Sequence, residues 1–136
     1  MKKIFLKMLC LILCLTAVAS VTVVSAEEST AIMPRLTGID AQAVDLSISA
    51  NGRADCWCLI FVDTGYSVDV TMALEQDGTA IKTWTGSGSS GSRVELDKSY
   101  YVTTGHDYQV VVTTRVKTAG GSYLLSYTLE STIEHY

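Results

Sequence analysis

Val68-Asp69-Val70-Thr71-Met72-Ala73-Leu74-Glu75-Gln76-Asp77-Gly78 is the stretch whose pattern decides the fold. Val68, Val70, Met72 and Leu74 alternate with Asp69, Thr71 and Ala73, the period of a strand with one buried face. Asp77-Gly78 ends it with a dipeptide suited to the positive φ angles of a two-residue hairpin, and residues 79–85 form the expected return strand.

The same alternation recurs on both sides. Upstream, Val44, Leu46 and Ile48 alternate with Asp45, Ser47 and Ser49 as far as an Asn51-Gly52 turn. Ala54, Cys56, Cys58 and Ile60 then share a face up to Asp63-Thr64-Gly65. Downstream, residues 86–92 are Gly and Ser only, which predicts a flexible loop. Val94 and Leu96 follow, then Tyr108, Val110, Val112, Thr114 and Val116 on one face. Gly120-Gly121 turns the chain into Tyr123, Leu125, Tyr127 and Leu129. No stretch has sustained helical periodicity. About seven short strands in one domain predict an all-β, antiparallel sandwich of immunoglobulin or fibronectin type III kind. Leu96, then Gly105, then Tyr108 at the start of a Val-rich strand resembles the tyrosine corner of such sandwiches, where the phenol hydroxyl bonds to backbone upstream. The alternative is an inward-facing Tyr without that bond.

The first 26 residues read as an address. Lys2, Lys3 and Lys7 precede an uncharged apolar run from Met8 to Val24, and Val24-Ser25-Ala26 offers small residues before a cut at Glu27. These are the parts of a secretory signal peptide, expected as a helix ahead of a single sandwich domain over 27–136. An uncleaved anchor is the alternative, because the apolar run approaches the roughly 18 residues of a membrane span; the small residues and Glu27-Glu28 favour removal. Leu13 before Cys14 is too bulky for a lipoprotein site. The expected localisation is secreted or extracellular, at the cell surface or free of it, without stable membrane insertion after cleavage.

The 136 residues are 48% hydrophobic with a formal net charge of −4. The signal carries three of the ten basic residues and none of the acidic ones. The remainder therefore has seven basic against fourteen acidic residues, a net charge of −7. That balance argues against nucleic acid, whose phosphates require a basic face, and against adsorption to anionic lipid. The size and composition also exclude a large multidomain enzyme, a collagen or coiled-coil fibre and a multispanning membrane protein.

Motifs with chemical content are few. Ile60-Phe61-Val62-Asp63-Thr64-Gly65 is similar to the aspartic protease signature, which in a chain this short requires a homodimer to pair the two carboxyls. Tyr66 stands where that family has Ser or Ala, and the Asp-Thr-Gly suits a turn equally well. Gly86-Ser87-Gly88-Ser89-Ser90-Gly91 has dinucleotide-loop spacing, but a strand follows it where that motif needs a helix. Cys56 and Cys58 are the only cysteines beyond the signal. As i and i+2 on one strand their Cα atoms stand about 6.6–6.8 Å apart with parallel side chains, poor disulfide geometry. The expected role is two small core residues; metal binding would need His106 and His135, and an unusual or intermolecular disulfide is the third reading. No catalytic constellation, cofactor or metal site is expected.

If Cys56, Cys58 and Ile60 face the core, then Trp57, Leu59 and Phe61 face outward. Three large apolar residues on an outer face are unusual for a soluble monomer. A loop or terminus could cover them, a partner or second copy could dock there, or they could form a ligand platform. Trp84 is the further candidate for such a platform, with Tyr66 and Tyr101 behind it. The whole chain resembles the small secreted β-sandwich proteins, domains of unknown function, of low-GC Gram-positive bacteria. The resemblance rests on the Lys-rich signal, the acidic all-β domain, Trp84 with its Gly/Ser stretch, and the Gly105 to Tyr108 strand. It implies an exported domain and transfers no site residue. The expected function is a non-catalytic binding or adhesion module for an extracellular glycan or protein. A structural or self-associating cell-envelope component is the alternative, and a homodimeric aspartic protease through Asp63 the remote one.

Overall fold

A computed structural model describes residues 36–136, so the expected signal helix and the start of the sandwich domain lie outside the described residues. The described chain is all β. Its strands are β1 (Ile39–Ile48), β2 (Arg53–Val62), β3 (Tyr66–Gln76), β4 (Thr79–Gly88), β5 (Arg93–Tyr101), β6 (Asp107–Thr118), β7 (Tyr123–Glu130) and the two-residue β8 (Glu134–His135). They form two antiparallel sheets, β1-β2-β5 and β4-β3-β6-β7, with β8 pairing the start of β6. β8 is an addition to the expected strands; its shortness leaves no alternation to read.

Period-two burial builds one core between the sheets. Cys56, Cys58 and Ile60 from β2 meet Val68, Val70, Met72 and Leu74 from β3 and Tyr108, Val110, Val112 and Val116 from β6, all essentially inaccessible to solvent. Each Val, Leu, Ile or Met side chain among them contributes about 1.5–3 kcal/mol by leaving water. One break in the period is instructive. In β1 the even-numbered residues face inward, yet Ile39 is also buried. A bulge between Ile39 and Ala41 allows both, because an extra residue shifts the side-chain phase by one.

Asp77 and Gly78 form the β3–β4 turn with φ of 50° and 79°, while Gln76 pairs with Thr79. Positive φ at both central residues is the hairpin geometry expected of this dipeptide. Tyr108 fulfils the tyrosine-corner expectation. Its ring is fully buried, and its hydroxyl donates to the Thr103 carbonyl at 2.7 Å while accepting from the Thr103 N–H at 3.2 Å. The arch between β5 and β6 is thereby tied to the core.

The expected flexible loop over residues 86–92 is corrected by the structure. β4 runs on through Gly88, and only residues 89–92 lie outside strands. Those four make a tight turn. The Ser92 N–H and Oγ–H both reach the Ser89 carbonyl at 2.9 and 2.6 Å, and the Gly91 N–H donates to Val62 O at 3.1 Å. The glycines of β4 answer to packing, not to flexibility. A Cβ on Gly88 would lie 2.5 Å from Cγ2 of Val94, and one on Gly86 would lie 3.1 Å from Val94 and Leu96. The chain changes sheets here, so β5 side chains close directly over the β4 backbone, and only Gly leaves them room.

This close approach sets an expected double-mutant result. Gly88→Ala lowers stability by about 1–3 kcal/mol through overpacking. In Gly88→Ala/Val94→Ala the lost Val methyls accommodate the new one. Urea unfolding of the four proteins should therefore give a double-mutant loss smaller than the sum of the single ones by at least about 0.5 kcal/mol. Simple additivity would show that the two residues do not meet.

Candidate functional site

β2 is the central strand of the three-stranded sheet, so the residues it turns away from the core have neighbours on both sides. The registers place Trp57 between Asp45 of β1 and Asp97 of β5, Leu59 between Ala43 and Glu95, and Phe61 between Ala41 and Arg93. Paired residues in antiparallel sheets project from the same face, so these nine side chains form one surface on strands about 4.7–4.9 Å apart. Phe61 is 39% exposed, and Trp57 and Leu59 are half-buried. The small side chains of Ala41 and Ala43 leave the strip open on the β1 side. Tyr101 pairs with Arg53 and extends the same face at its far end, 68% exposed.

Polar contacts hold part of this surface in place. The Trp57 indole Nε1–H donates to Glu95 Oε1 at 3.1 Å, while the other Glu95 oxygen lies 3.6 Å from an Arg93 nitrogen. Arg53 Nε meets Asp55 Oδ1 at 2.8 Å. Both arginines of the face are thus engaged with its carboxylates. Asp45 and Asp97, on either side of Trp57, have no ion-pair partner among the described residues. The surface is therefore an apolar and aromatic strip with uncompensated negative charge around its Trp end.

Of the four candidate ligand-binding residues, the fold brings Trp57, Leu59 and Phe61 together and leaves Trp84 apart. Trp84 sits opposite Met72, whose side chain is fully buried, and packs against the core from edge strand β4 of the other sheet. Facing inward, it cannot extend the platform. Tyr66 likewise packs against the core, from the first position of β3. Asp45, Glu95 and Asp97 are the members that sequence reasoning did not assign to the site. Their outward phase was legible from alternation, but their place beside Trp57 depends on which strands pair and in what register.

The remaining motifs occupy the core, the turns and the strand ends. Cys56 and Cys58 are fully buried and unpaired. Burial, helped by the nearby Asp55 carboxylate, pushes the Cys56 thiol up to about 12, and burial also raises Cys58. Both are neutral, small core groups. Asp63-Thr64-Gly65 turns the chain from β2 to β3, with Gly65 at φ 89° and the Tyr66 N–H donating to Asp63 O at 3.3 Å. The two histidines each have a carboxylate partner. His106 Nδ1 is 2.6 Å from Asp77 Oδ2 and His135 Nδ1 is 2.7 Å from Asp107 Oδ1. The Asp107 N–H, and after it His106, hold the Asp77 carboxyl below its ordinary value. No group of three or more His, Cys, Asp or Glu among the described residues is arranged to hold a metal ion.

No protein-family model matches the chain, and no curated protein matches it.

Thiol chemistry checks the inner face of β2. A disulfide-exchange reagent at pH 8, or alkylation at pH 10, should label neither Cys56 nor Cys58 in the folded protein and both in guanidinium. Burial raises both thiols, Cys56 to about 12, and denies a reagent access to either sulfur. Fast labelling of either native thiol would contradict the inward phase of β2, and with it the outward phase of Trp57.

Proposed function

We propose that the chain is an exported, non-catalytic binding module that recognises an extracellular glycan or protein through the outer face of β1-β2-β5. The observation that carries this reading is the strip Trp57, Leu59 and Phe61, aligned on the central strand of a sheet whose other face is spent on the core. Exposed apolar side chains gathered on a rigid sheet supply contact area at low entropic cost. The signal-like Lys-rich start and the acid-rich remainder support export in the manner of the small secreted sandwiches of low-GC Gram-positive bacteria. Strand order supports a fibronectin type III kind of sandwich. The fourth strand pairs with the third, not with the three-stranded sheet as in constant-type immunoglobulin domains, and Tyr108 makes the corner bond at the start of β6.

The test is binding of the protein to a glycan array and to cell-envelope fractions. Trp57→Ala and Phe61→Ser should each weaken the interaction at least about tenfold, the scale of a central aromatic contact. Their urea midpoints should stay close to the parent's, since both residues lie outside the core. Absence of binding to every glycan and fraction, or binding indifferent to both substitutions, would overturn the reading.

A second reading, a self-associating envelope component, is favoured by one specific feature. β7 lies at an edge of its sheet and carries no charge from Tyr123 to Leu129, with Tyr123 and Leu124 53% and 44% exposed. The other edge strands carry charges: Asp45 in β1, Lys82 in β4, and Arg93, Glu95, Asp97 and Lys98 in β5. Charges on an edge oppose strand-to-strand pairing, and β7 has none there. Sedimentation over a wide concentration range should then show association that Leu124→Lys abolishes. A monomer at every concentration would remove this reading.

A further inference from the structure

Resting on the binding reading above, the geometry points to the chemistry of the partner: we propose that the outer face of β1-β2-β5 receives an extended peptide segment bearing a Lys or Arg cation, seated over Trp57 between Asp45 and Asp97, with apolar residues two and four positions along it on Leu59 and Phe61.

Charge complementarity supplies the first argument. The face holds the carboxylates Asp45, Asp55, Glu95 and Asp97 and the guanidinium groups of Arg53 and Arg93. Arg53 is committed to Asp55 and Arg93 approaches Glu95, which leaves Asp45 and Asp97 uncompensated on the two sides of Trp57. A cation brought there gains from both carboxylates and from the electron-rich indole face together. The indole's one polar atom is already satisfied by Glu95. Trp57 therefore offers a partner its π surface and no donor, which suits a cation or an aliphatic stem better than a polar acceptor. A neutral sugar would leave the two carboxylates without a counter-charge. The net charge of the whole chain, −4, also steers basic partners towards it.

Spacing supplies the second argument. Trp57, Leu59 and Phe61 are i, i+2 and i+4 on one strand, so they recur about every 6.6–6.8 Å. An extended peptide repeats its same-side residues at that interval, and alternate side chains of a strand-like ligand fall on successive members of the strip. Direction is set by charge: Arg93 stands beside Phe61, so the cation belongs at the Trp57 end and the apolar residues at the other.

The experiment is a two-dimensional 15N–1H NMR titration of the protein with the peptide Gly-Lys-Ser-Leu-Ser-Leu-Gly and with its two versions carrying Ser or Glu for Lys. The Trp57 indole signal reports the site, and the method reads weak affinities. Expected is a saturable shift of that signal with the Lys peptide. Affinity should fall about five- to thirty-fold with the Ser or Glu peptide and by a similar factor in Asp45→Asn/Asp97→Asn. Added salt should weaken it, and Asp107→Asn, away from the strip, should leave it unchanged. Both substituted aspartates are exposed and make no bond that folding requires. Equal affinity for the three peptides, no shift with any of them, or Lys-peptide binding that survives Asp45→Asn/Asp97→Asn overturns the inference. If the Lys peptide fails while Trp57-dependent binding to a neutral glycan or envelope fraction persists in Asp45→Asn/Asp97→Asn, the cation chemistry falls and the binding module stands. If no ligand depends on Trp57, both fall.

Discussion

Along β2 each side chain points opposite to its neighbours, and this period of two couples the interior of the protein to its surface. Placing Cys56, Cys58 and Ile60 in the core obliges Trp57, Leu59 and Phe61 to point away from it. A one-residue slip would exchange the sets and bury an indole and a phenyl ring where two thiols now fit. The small volume of the cysteines matters here. They are fully buried in the core between the sheets, and that burial raises the pKa of both thiols. The outer strip follows geometrically from how the core is filled.

Where the chain passes from one sheet to the other, backbone and side chains compete for space. Gly86 and Gly88 let Val94 and Leu96 close over β4, and the Ser89 to Ser92 turn satisfies its own polar groups with hydroxyls and short backbone bonds. The arch into β6 uses another device, the Tyr108 hydroxyl on Thr103. Near the end of the described chain a similar economy appears. Ser131 lends its Oγ to the Val110 N–H, and Tyr136 exchanges backbone bonds with His106 while its hydroxyl reaches Ala50. Irregular segments at the ends of a sandwich must satisfy backbone groups that a strand ladder would otherwise satisfy.

The surface electrostatics depend on pairing at a longer range. Asp45, Trp57 and Asp97 lie far apart in the chain but in one row of the sheet, because β1 and β5 flank β2. Glu95 then reaches diagonally to the indole. Each of these acids alone reads as an ordinary solvated residue of an alternating strand. Only their convergence on an aromatic side chain gives them a shared role, and convergence is a property of register.

Local pattern was sufficient for the class of fold and for the inward phase of the strands, because alternation and turn chemistry act over a few residues. Val68 to Leu74, the Asp77-Gly78 hairpin, the valine face of β6 and the buried Cys56 and Cys58 were all legible in this way, as were the outward Trp57, Leu59 and Phe61. Tertiary structure decided the rest. Trp84 faces the core because its partner across the ladder is Met72, and Gly86 and Gly88 belong to a strand because Val94 and Leu96 from the other sheet close over them. Such facts depend on contacts between residues distant in sequence. Composition cannot encode them, since a glycine that clears space and a glycine that loosens a loop are the same letter.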